Sequence, residues 1–358
     1  MTNPEAMALA VQAYQSGNLA QAEAICLQIL QQQPDRVEVL HWLGAIAHQR
    51  GKLSEAVAYY QRTLALAPNQ AQVYYNLGNA FQQQGQFPAA IEHYQKAIAL
   101  QPAYTDAHYN LGYSLQQQGN LPEAITHYQQ AIALNPNDAE AHGNLAYALQ
   151  QQGQIEAAIA HYQHAIALKP EFPAIFYNLG NLYQQQAQLE AAINQYQWAL
   201  ALNPNYAEAY LQLAASLHAL HQHEEAIVCY QQAIALQPNS PSAYYNLGNV
   251  LLERGRYDEA TVQYQQALAL QPNTLDTYLK LGWALMHLSR FEEAAASFQQ
   301  ALTLHPDCPE AYQKLGLALV SQNKLDEAIS YLQQALQLKP DLVGAYWQSQ
   351  LILPILYD

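Results

Sequence analysis

The chain repeats itself with a period of 34 residues, and this period constrains the fold more than any other feature. Prolines stand at that interval along almost the whole 358-residue sequence. They are Pro34, Pro68, Pro102, Pro136, Pro170, Pro204, Pro238, Pro272, Pro306 and Pro340. A fixed period of this length is typical of stacked supersecondary units that share one continuous core, and not of several independent globular domains.

Residues 71–104 show what one repeat contains. Apolar residues recur at Val73 and Leu77 and on toward the end of the segment, with the spacing of one face of an amphipathic helix. Gly85 predicts the end of this first helix, because a residue without a Cβ adopts the left-handed conformation at low cost. A second helix must end before Pro102, since proline disfavours a helical conformation in the preceding residue. Each repeat is therefore predicted to be a pair of antiparallel helices.

Small and large residues occupy fixed places in this period. Small side chains let two helix axes approach to about 8–10 Å, so their rows predict where the helices cross. The row on the first helices is Gly44, Gly78, Gly112, Ala146, Gly180, Ala214, Gly248, Gly282 and Gly316. The row on the second helices is Ala56, Ala90, Ala124, Ala158, Ala192, Ala226, Ala260, Ala294 and Ala328. A row of large residues opposite is predicted to fill the space between neighbouring pairs: Tyr60, Tyr94, Tyr128, Tyr162, Tyr196, Tyr230, Tyr264 and Phe298.

One repeat carries the pattern Tyr74-x-x-Leu77-Gly78-x-x-Phe81, Ala90-x-x-x-Tyr94, Pro102. This pattern resembles the signature of the tetratricopeptide repeat and recurs over essentially the whole chain. The resemblance implies an all-α fold, a right-handed superhelical solenoid of ten 34-residue helix-turn-helix repeats plus a C-terminal helix. The predicted repeats are 3–36, 37–70, 71–104, 105–138, 139–172, 173–206, 207–240, 241–274, 275–308 and 309–342, and the C-terminal helix with its apolar tail is 343–358.

Four repeats lack the glycine of the turn between their two helices. The residues in its place are Ala187, His221, Ser289 and Asn323. A left-handed residue other than asparagine is strained there. We therefore expect these turns to be looser than those that keep glycine.

Composition narrows the classes of partner. Acidic residues outnumber basic ones 28 to 13, and the formal net charge is -15, which repels the phosphates of nucleic acids and an anionic membrane surface. The three cysteines, Cys26, Cys229 and Cys308, show no paired spacing, which argues against a disulfide framework and fits a reducing compartment. We predict a cytoplasmic protein with protein or peptide partners, no nucleic acid and no membrane.

Polar residues on the first helices form a second stripe that is predicted to face the inside of the curve. An amide side chain offers both a donor and an acceptor, so a row of amides matches the polar groups of an extended peptide. The predicted row is Asn76, Asn110, Asn144, Asn178 and Asn246, interrupted and continued by Gln212, Lys280 and Lys314, with Asn79 one turn away. Beside it runs an aromatic row of the kind enriched in protein interfaces: Tyr75, Tyr109, Tyr177 and Tyr245.

Acidic residues border this stripe and favour peptides that are neutral or basic. They are Asp106, Glu140, Glu208, Asp276 and Glu310. Two structural alternatives remain open: the asparagines are solvated helix-capping residues or contacts between repeats, and the tyrosines pack against the adjacent helix. A third alternative is a resemblance to carboxylate-clamp tetratricopeptide domains, in which Lys280 and Lys314 would grip a terminal carboxylate.

Neither a catalytic centre nor a bound cofactor or metal is expected. The sequence shows no glycine-rich phosphate loop after a strand and no nucleophile elbow. His218, His221 and His223 precede Glu224 and Glu225, but this cluster is predicted to be a solvated group at a helix end because it has no second set of spaced ligands. The row of His93, His127 and His161 places one residue on each of three repeats, too far apart to share one ion.

The end of the chain supports a second resemblance. Repeats rich in Tyr-Asn-Leu-Gly followed by a Leu-Pro-Ile segment resemble the repeat arm of O-linked N-acetylglucosamine transferases and SPINDLY-like relatives. That resemblance implies that the asparagine row guides protein substrates to a glycosyltransferase domain, which would follow Asp358. The apolar segment Leu351–Asp358 also predicts self-association through the carboxyl end.

Overall fold

A computed structural model describes residues 3–342, and the C-terminal helix and tail predicted at 343–358 lie outside the described residues. The described part contains helices and turns and no β-strand. Its helices are α1 Asn3–Gln15, α2 Leu19–Gln32, α3 Val37–Gln49, α4 Leu53–Leu66, α5 Ala71–Gln83, α6 Phe87–Leu100, α7 Thr105–Gln117, α8 Leu121–Leu134, α9 Ala139–Gln151, α10 Ile155–Leu168, α11 Pro173–Gln185, α12 Leu189–Leu202, α13 Ala207–Ala219, α14 His223–Leu236, α15 Pro241–Glu253, α16 Tyr257–Leu270, α17 Leu275–His287, α18 Phe291–Leu304, α19 Pro309–Ser321 and α20 Leu325–Leu338. The predicted all-α architecture is confirmed.

Consecutive helices form pairs, α1 with α2 through α19 with α20, and each pair falls inside one predicted repeat. The repeat boundaries themselves remain a prediction. The helices divide into two compact units after Glu171. Within each unit, every helix packs against the next one along the chain. None of the helices in residues 3–342 is both long enough and apolar enough to cross a bilayer.

The turn inside each pair is held by the same backbone hydrogen bonds. Gly85 has φ 72°, and its N–H donates to the carbonyl of Gln82 at 2.9 Å. The next N–H, of Gln86, reaches back to the carbonyl of Phe81, also at 2.9 Å. The left-handed residue thus lets the chain reverse while the last carbonyls of α5 keep their donors.

The expectation of looser turns without glycine is wrong. Ala187, His221, Ser289 and Asn323 have φ values of 56°, 58°, 58° and 62°, in the same left-handed region as the turn glycines. Ala187 N–H donates to the carbonyl of Gln184 at 2.9 Å, as Gly85 does in its own turn. The surrounding helices therefore impose the left-handed conformation at these turns, even where it is strained for a residue with a Cβ.

In the helix pairs from α3–α4 to α17–α18, a large ring from the row Tyr60 to Phe298 occupies the second helix, opposite the row of small residues on the first. Tyr94 on α6 is fully buried, and a Cβ added to Gly78 on α5 would lie 2.6 Å from its Cε1 atom. The tyrosine row therefore packs first within its own pair. Tyr60 also joins one core cluster with Val73 and Leu77 of the following pair, so the predicted packing between neighbouring pairs is present as well.

Candidate binding face

All thirteen residues predicted for the binding stripe lie on the first helices of their pairs and are half-buried. We call the surface that these side chains form the first-helix face. Its members are Tyr75, Asn76 and Asn79 on α5, Tyr109 and Asn110 on α7, Asn144 on α9, Tyr177 and Asn178 on α11, Gln212 on α13, Tyr245 and Asn246 on α15, Lys280 on α17 and Lys314 on α19. Half-burial means that each side chain both contacts the protein and remains accessible to a ligand.

The first helices of successive pairs approach one another directly. In the first unit α3 contacts α5, α5 contacts α7 and α7 contacts α9, and in the second unit α11, α13, α15, α17 and α19 form the same series. Second helices of successive pairs approach one another less closely among the described residues. Closer spacing along one side curves a stack toward that side, so the first-helix face lies on the inner side within each unit.

The asparagine amides of the first unit bond to the preceding pair. Asn144 Nδ2 donates to the hydroxyl of Tyr109 at 2.7 Å, and Asn110 Nδ2 donates to the hydroxyl of Tyr75 at 3.1 Å. Asn110 Nδ2 also donates to Asn79 Oδ1 at 3.0 Å. The alternative that these asparagines are contacts between repeats is therefore present in the structure.

These bonds change what the amides can offer a peptide. Both N–H groups of Asn110 are used, so the expected free donor is wrong for this residue, and its carbonyl oxygen is what remains. The amide of Asn76 is bonded at both ends: Nδ2 lies 2.9 Å from His41 Nε2, and Oδ1 accepts from Gln72 Nε2 at 3.1 Å. At these positions the first-helix face consequently offers a ligand fewer free N–H donors than the sequence alone predicts.

The tyrosine row rests on the buried tyrosines beneath it. The ring of Tyr75 lies 5.9 Å from that of Tyr94 and 4.9 Å from that of Tyr104, measured between centroids. Burial raises the pKa of Tyr109 to about 12, and the neighbouring carboxylate of Glu140 adds to the shift. The Tyr109 hydroxyl is therefore neutral at physiological pH, and the half-buried rings of the row combine the predicted packing with an accessible edge.

The acidic border is exposed to solvent. Asp106, Glu140 and Glu208 each stand in the first turn of their helix, α7, α9 and α13. Asp276 accepts a hydrogen bond from the Tyr245 hydroxyl across one repeat. The border therefore supplies negative charge beside the amide and tyrosine rows, as the sequence predicts.

Of the two lysines considered for a carboxylate clamp, Lys314 already has partners within the chain. Lys314 Nζ lies 3.3 Å from Glu310 Oε1 and 4.4 Å from the ring centroid of Trp283. Its charge is thus engaged by an anion and by an aromatic face. Lys280 is half-buried on α17. A clamp requires cations directed at a shared carboxylate, which Lys314 in this position does not offer.

Histidine pairs that the sequence analysis missed lie within single repeats. His108 Nδ1 is 3.1 Å from His127 Nδ1, and His142 Nδ1 is 2.9 Å from His161 Nδ1. Burial lowers the pKa of His127, and the nearby His108 lowers it further. The spacing of 19 residues between partners is the signal that would have found them, because it joins fixed positions on the two helices of one pair. Their role here is packing, since each pair sits inside its own repeat.

Helix pairs of this length, stacked in order and carrying the signature residues, define a tetratricopeptide-repeat protein. Models described as tetratricopeptide or TPR repeats match residues 216–253, 239–307 and 279–343. The model of the cilia and flagella-associated protein 70 C-terminal domain matches residues 3–222, more than half of the chain. The chain therefore belongs to the family of tetratricopeptide-repeat domains that this last model describes.

Several solved structures are similar to this chain. One is YrrB, a TPR protein with an unusual peptide-binding site, which is 23% identical with a TM-score of 0.50 over 53% of this chain and 97% of YrrB. MamA is 26% identical with a TM-score of 0.46 over 47% of this chain and 92% of MamA. Yeast Tom70 is 14% identical with a TM-score of 0.41 over 99% of this chain and 96% of its own. A search of curated protein sequences finds no match.

Proposed function

We propose that this chain is a non-catalytic scaffold that binds extended polypeptide segments along its first-helix face. The observation that carries the proposal is the periodic combination of half-buried tyrosine rings, amide oxygens and exposed carboxylates on one side of each unit. Exposed aromatic and polar side chains held on rigid helices are typical of protein-binding surfaces. The peptide-binding site named for YrrB supports the same function for this fold.

The preferred ligand is a basic, extended segment. Carbonyl oxygens such as that of Asn110 accept from peptide N–H groups, since its own N–H groups are already bonded. The exposed carboxylates of Asp106, Glu140 and Glu208 attract lysine and arginine side chains. Neutral tyrosine rings provide flat surfaces for apolar and cationic side chains.

The test begins with a peptide array that varies charge, followed by fluorescence anisotropy with the best peptide. Neutralising the border in the triple variant Asp106→Asn, Glu140→Gln and Glu208→Gln is expected to weaken binding and to flatten its salt dependence. The matched control is Glu123→Gln, Glu156→Gln and Glu190→Gln, which removes the same charge from exposed positions on second helices. Equal losses in the two variants would show that only net charge matters and would refute the proposed face.

A second variant tests the amide row. Replacing Asn110, Asn144 and Asn178 together by alanine is expected to reduce peptide affinity, whereas replacing the exposed second-helix residues Gln95, Gln129 and Gln197 is not. Because two of these asparagines also bond between repeats, circular dichroism must show that helicity is retained. Unchanged affinity in a folded asparagine variant would contradict the proposal.

A second candidate function is the substrate-recruiting arm of a larger O-GlcNAc-transferase-like or SPINDLY-like glycosyltransferase. It is favoured by the amide row, which repeats at intervals of 34 residues from Asn76 through Asn110 to Asn144 on one face. The coding sequence beyond Asp358 decides between the two: a following region of alternating strands and helices with sugar-transfer activity supports the arm, and a stop codon supports the scaffold.

The proposal also includes the cellular compartment of this chain and its association with a second copy of itself. The cysteines Cys26, Cys229 and Cys308 are free thiols, which supports a reducing, cytoplasmic compartment. Association between carboxyl ends remains a proposal based on the apolar sequence at 351–358. Light scattering over a range of protein concentrations tests it, and a monomer at high concentration would remove it.

A further inference from the structure

Two histidines and a glutamate from neighbouring repeats converge in the second unit, away from the asparagine row. His218 is in the last turn of α13, His223 is the first residue of α14, and Glu253 is the last residue of α15 in the following repeat. His218 Nε2 lies 2.9 Å from Glu253 Oε2, and His223 Nδ1 lies 4.0 Å from the same oxygen. One nitrogen from each ring and one carboxylate oxygen all lie within 4.8 Å of one another.

The donor set has the composition of a transition-metal site. Two imidazole nitrogens with one carboxylate oxygen suit zinc and its neighbours in the first transition row, whereas calcium and magnesium prefer oxygen alone. Donors on a tetrahedral zinc ion with bonds of about 2.0–2.1 Å stand roughly 3.4 Å apart. From the observed values, the 2.9 Å and 4.0 Å spacings to Glu253 need to change by about 0.5 Å, and no spacing needs to close by more than about 1.4 Å. Rotation of these side chains supplies such changes.

A buried polar atom points to the same place. His223 Nδ1 is inaccessible to solvent and has no hydrogen-bond partner among the described residues. An unsatisfied buried nitrogen costs free energy that a ligand at this position would recover. Glu253 Oε2 lies 4.0 Å from this nitrogen, a distance too long for a hydrogen bond.

Neighbouring charges do not oppose a cation here. The guanidinium groups of Arg254 and Arg256 lie 3.5 Å and 3.9 Å from carboxylate oxygens of Glu224. Their charge is thus directed at Glu224 and partly neutralised by it. Glu253 is left facing the two imidazoles.

The arrangement is particular to this pair of repeats and is not a by-product of the period. In the second repeat the residues at the corresponding positions are His48, Leu53 and Gln83. That set offers one imidazole, no second nitrogen ligand and no carboxylate. The repeat therefore supplies the geometry, and two differences from the second repeat, His223 in place of leucine and Glu253 in place of glutamine, complete the donor set.

We propose that His218, His223 and Glu253 bind a divalent transition-metal ion, with zinc as the best match, and that the ion ties two consecutive repeats together. The local histidine cluster alone predicted no metal site, because the third ligand, Glu253, lies 35 residues from His218. Three protein ligands leave a fourth position for water or for a side chain of a bound partner.

The test is calorimetric titration of the chelator-treated full chain with zinc chloride, accompanied by cobalt(II) titration monitored by visible absorption. One ion per chain, a tetrahedral cobalt spectrum and a rise in Tm are expected. Glu253→Gln should weaken binding on the order of tenfold or more, and His218→Ala with His223→Ala should abolish it.

Two variants serve as matched controls. His221→Asn removes the histidine of the same cluster that is not in the donor set, and Cys229→Ser removes the nearest thiol on α14; both should bind zinc like the parent chain. The proposal is overturned if the parent binds no zinc at up to about 100 μM, a concentration far above that of structural sites. It is equally overturned if Glu253→Gln binds unchanged while circular dichroism shows an intact fold, or if Cys229→Ser alone abolishes binding.

Discussion

Adding one methyl group at Gly78 tests the packing inside a helix pair. A Cβ there would lie 2.6 Å from Cε1 and 2.7 Å from Cδ1 of Tyr94. The ring is fully buried, and its hydroxyl, which has one proton to donate, lies 2.7 Å from Asn79 Oδ1 and 2.6 Å from Gln82 Oε1. In Gly78→Ala the ring must therefore move away from these two oxygens, or the two helices must separate.

The magnitude follows from two opposing terms. Overpacking a well-packed core costs about 1–3 kcal/mol, whereas alanine stabilises a helix interior by roughly 1 kcal/mol over glycine. We expect a net loss of about 1 kcal/mol in the free energy of unfolding for Gly78→Ala. Gly112→Ala should lose less, because its Cβ would lie no closer than 2.9 Å to the Tyr128 ring, whose hydroxyl donates to Gln116.

Hydrogen exchange measured by mass spectrometry on peptides from α5 and α6 provides the assay, because a solenoid need not unfold in one step. Protection in these helices should fall in Gly78→Ala and change less around α7 in Gly112→Ala. The natural Ala146 shows that a Cβ is tolerated opposite a tyrosine where residue 147 is not asparagine. A gain of about 1 kcal/mol in Gly78→Ala, the value of helix propensity alone, would refute the reasoning.

Three further predictions concern a turn, the histidine pairs and a thiol. Ala187→Gly should stabilise the chain by roughly 0.5–1 kcal/mol in urea unfolding, since a left-handed residue with a Cβ costs about 1–2 kcal/mol and added freedom of the unfolded glycine offsets part of the relief. Burial keeps the folded-state pKa of His127 and His161 below the usual 6.5, so the unfolded chain binds protons more readily than the folded chain. Tm should therefore fall as the pH drops below about 6.5. A Tm that does not change with pH in this range would contradict the prediction. Cys26 is fully buried and its pKa is raised to about 11 by burial and by Glu38, so iodoacetamide should modify it only under denaturing conditions, and rapid modification of the folded chain would contradict its burial.

Helix positions were predictable because they depend on local chemistry. Gly85 ends α5 in the left-handed conformation, as the sequence predicts. The conformation of Ala187 was not predictable in the same way, because local preference opposes a positive φ there. Its turn is set by hydrogen bonds to the carbonyls of Gln184 and Tyr183, which exist only once the helix pair has formed.

The position of the first-helix face was predictable from the sequence, but the hydrogen bonds of its side chains were not. The helical period places Asn110 on the same side as Asn76 and Asn144, and the structure agrees. The partner of Asn110 is Tyr75, 35 residues earlier, and reading one repeat at a time does not reveal it. The same relation joins His218 to Glu253, which is why the local histidine cluster was interpreted without its third ligand.

The offset of 35 residues sets a rule for how the chain length can change. Asn110 and Asn144 each depend on a tyrosine in the adjacent copy, Tyr75 and Tyr109. Excising residues 105–138 as a block would place Asn144 beside Tyr75, which is also a tyrosine, so the bond would re-form with a new partner. Excising a fragment whose length is not a multiple of 34 residues would leave these donors opposite unrelated residues, and insertions and losses in the gene should therefore be tolerated chiefly in whole copies.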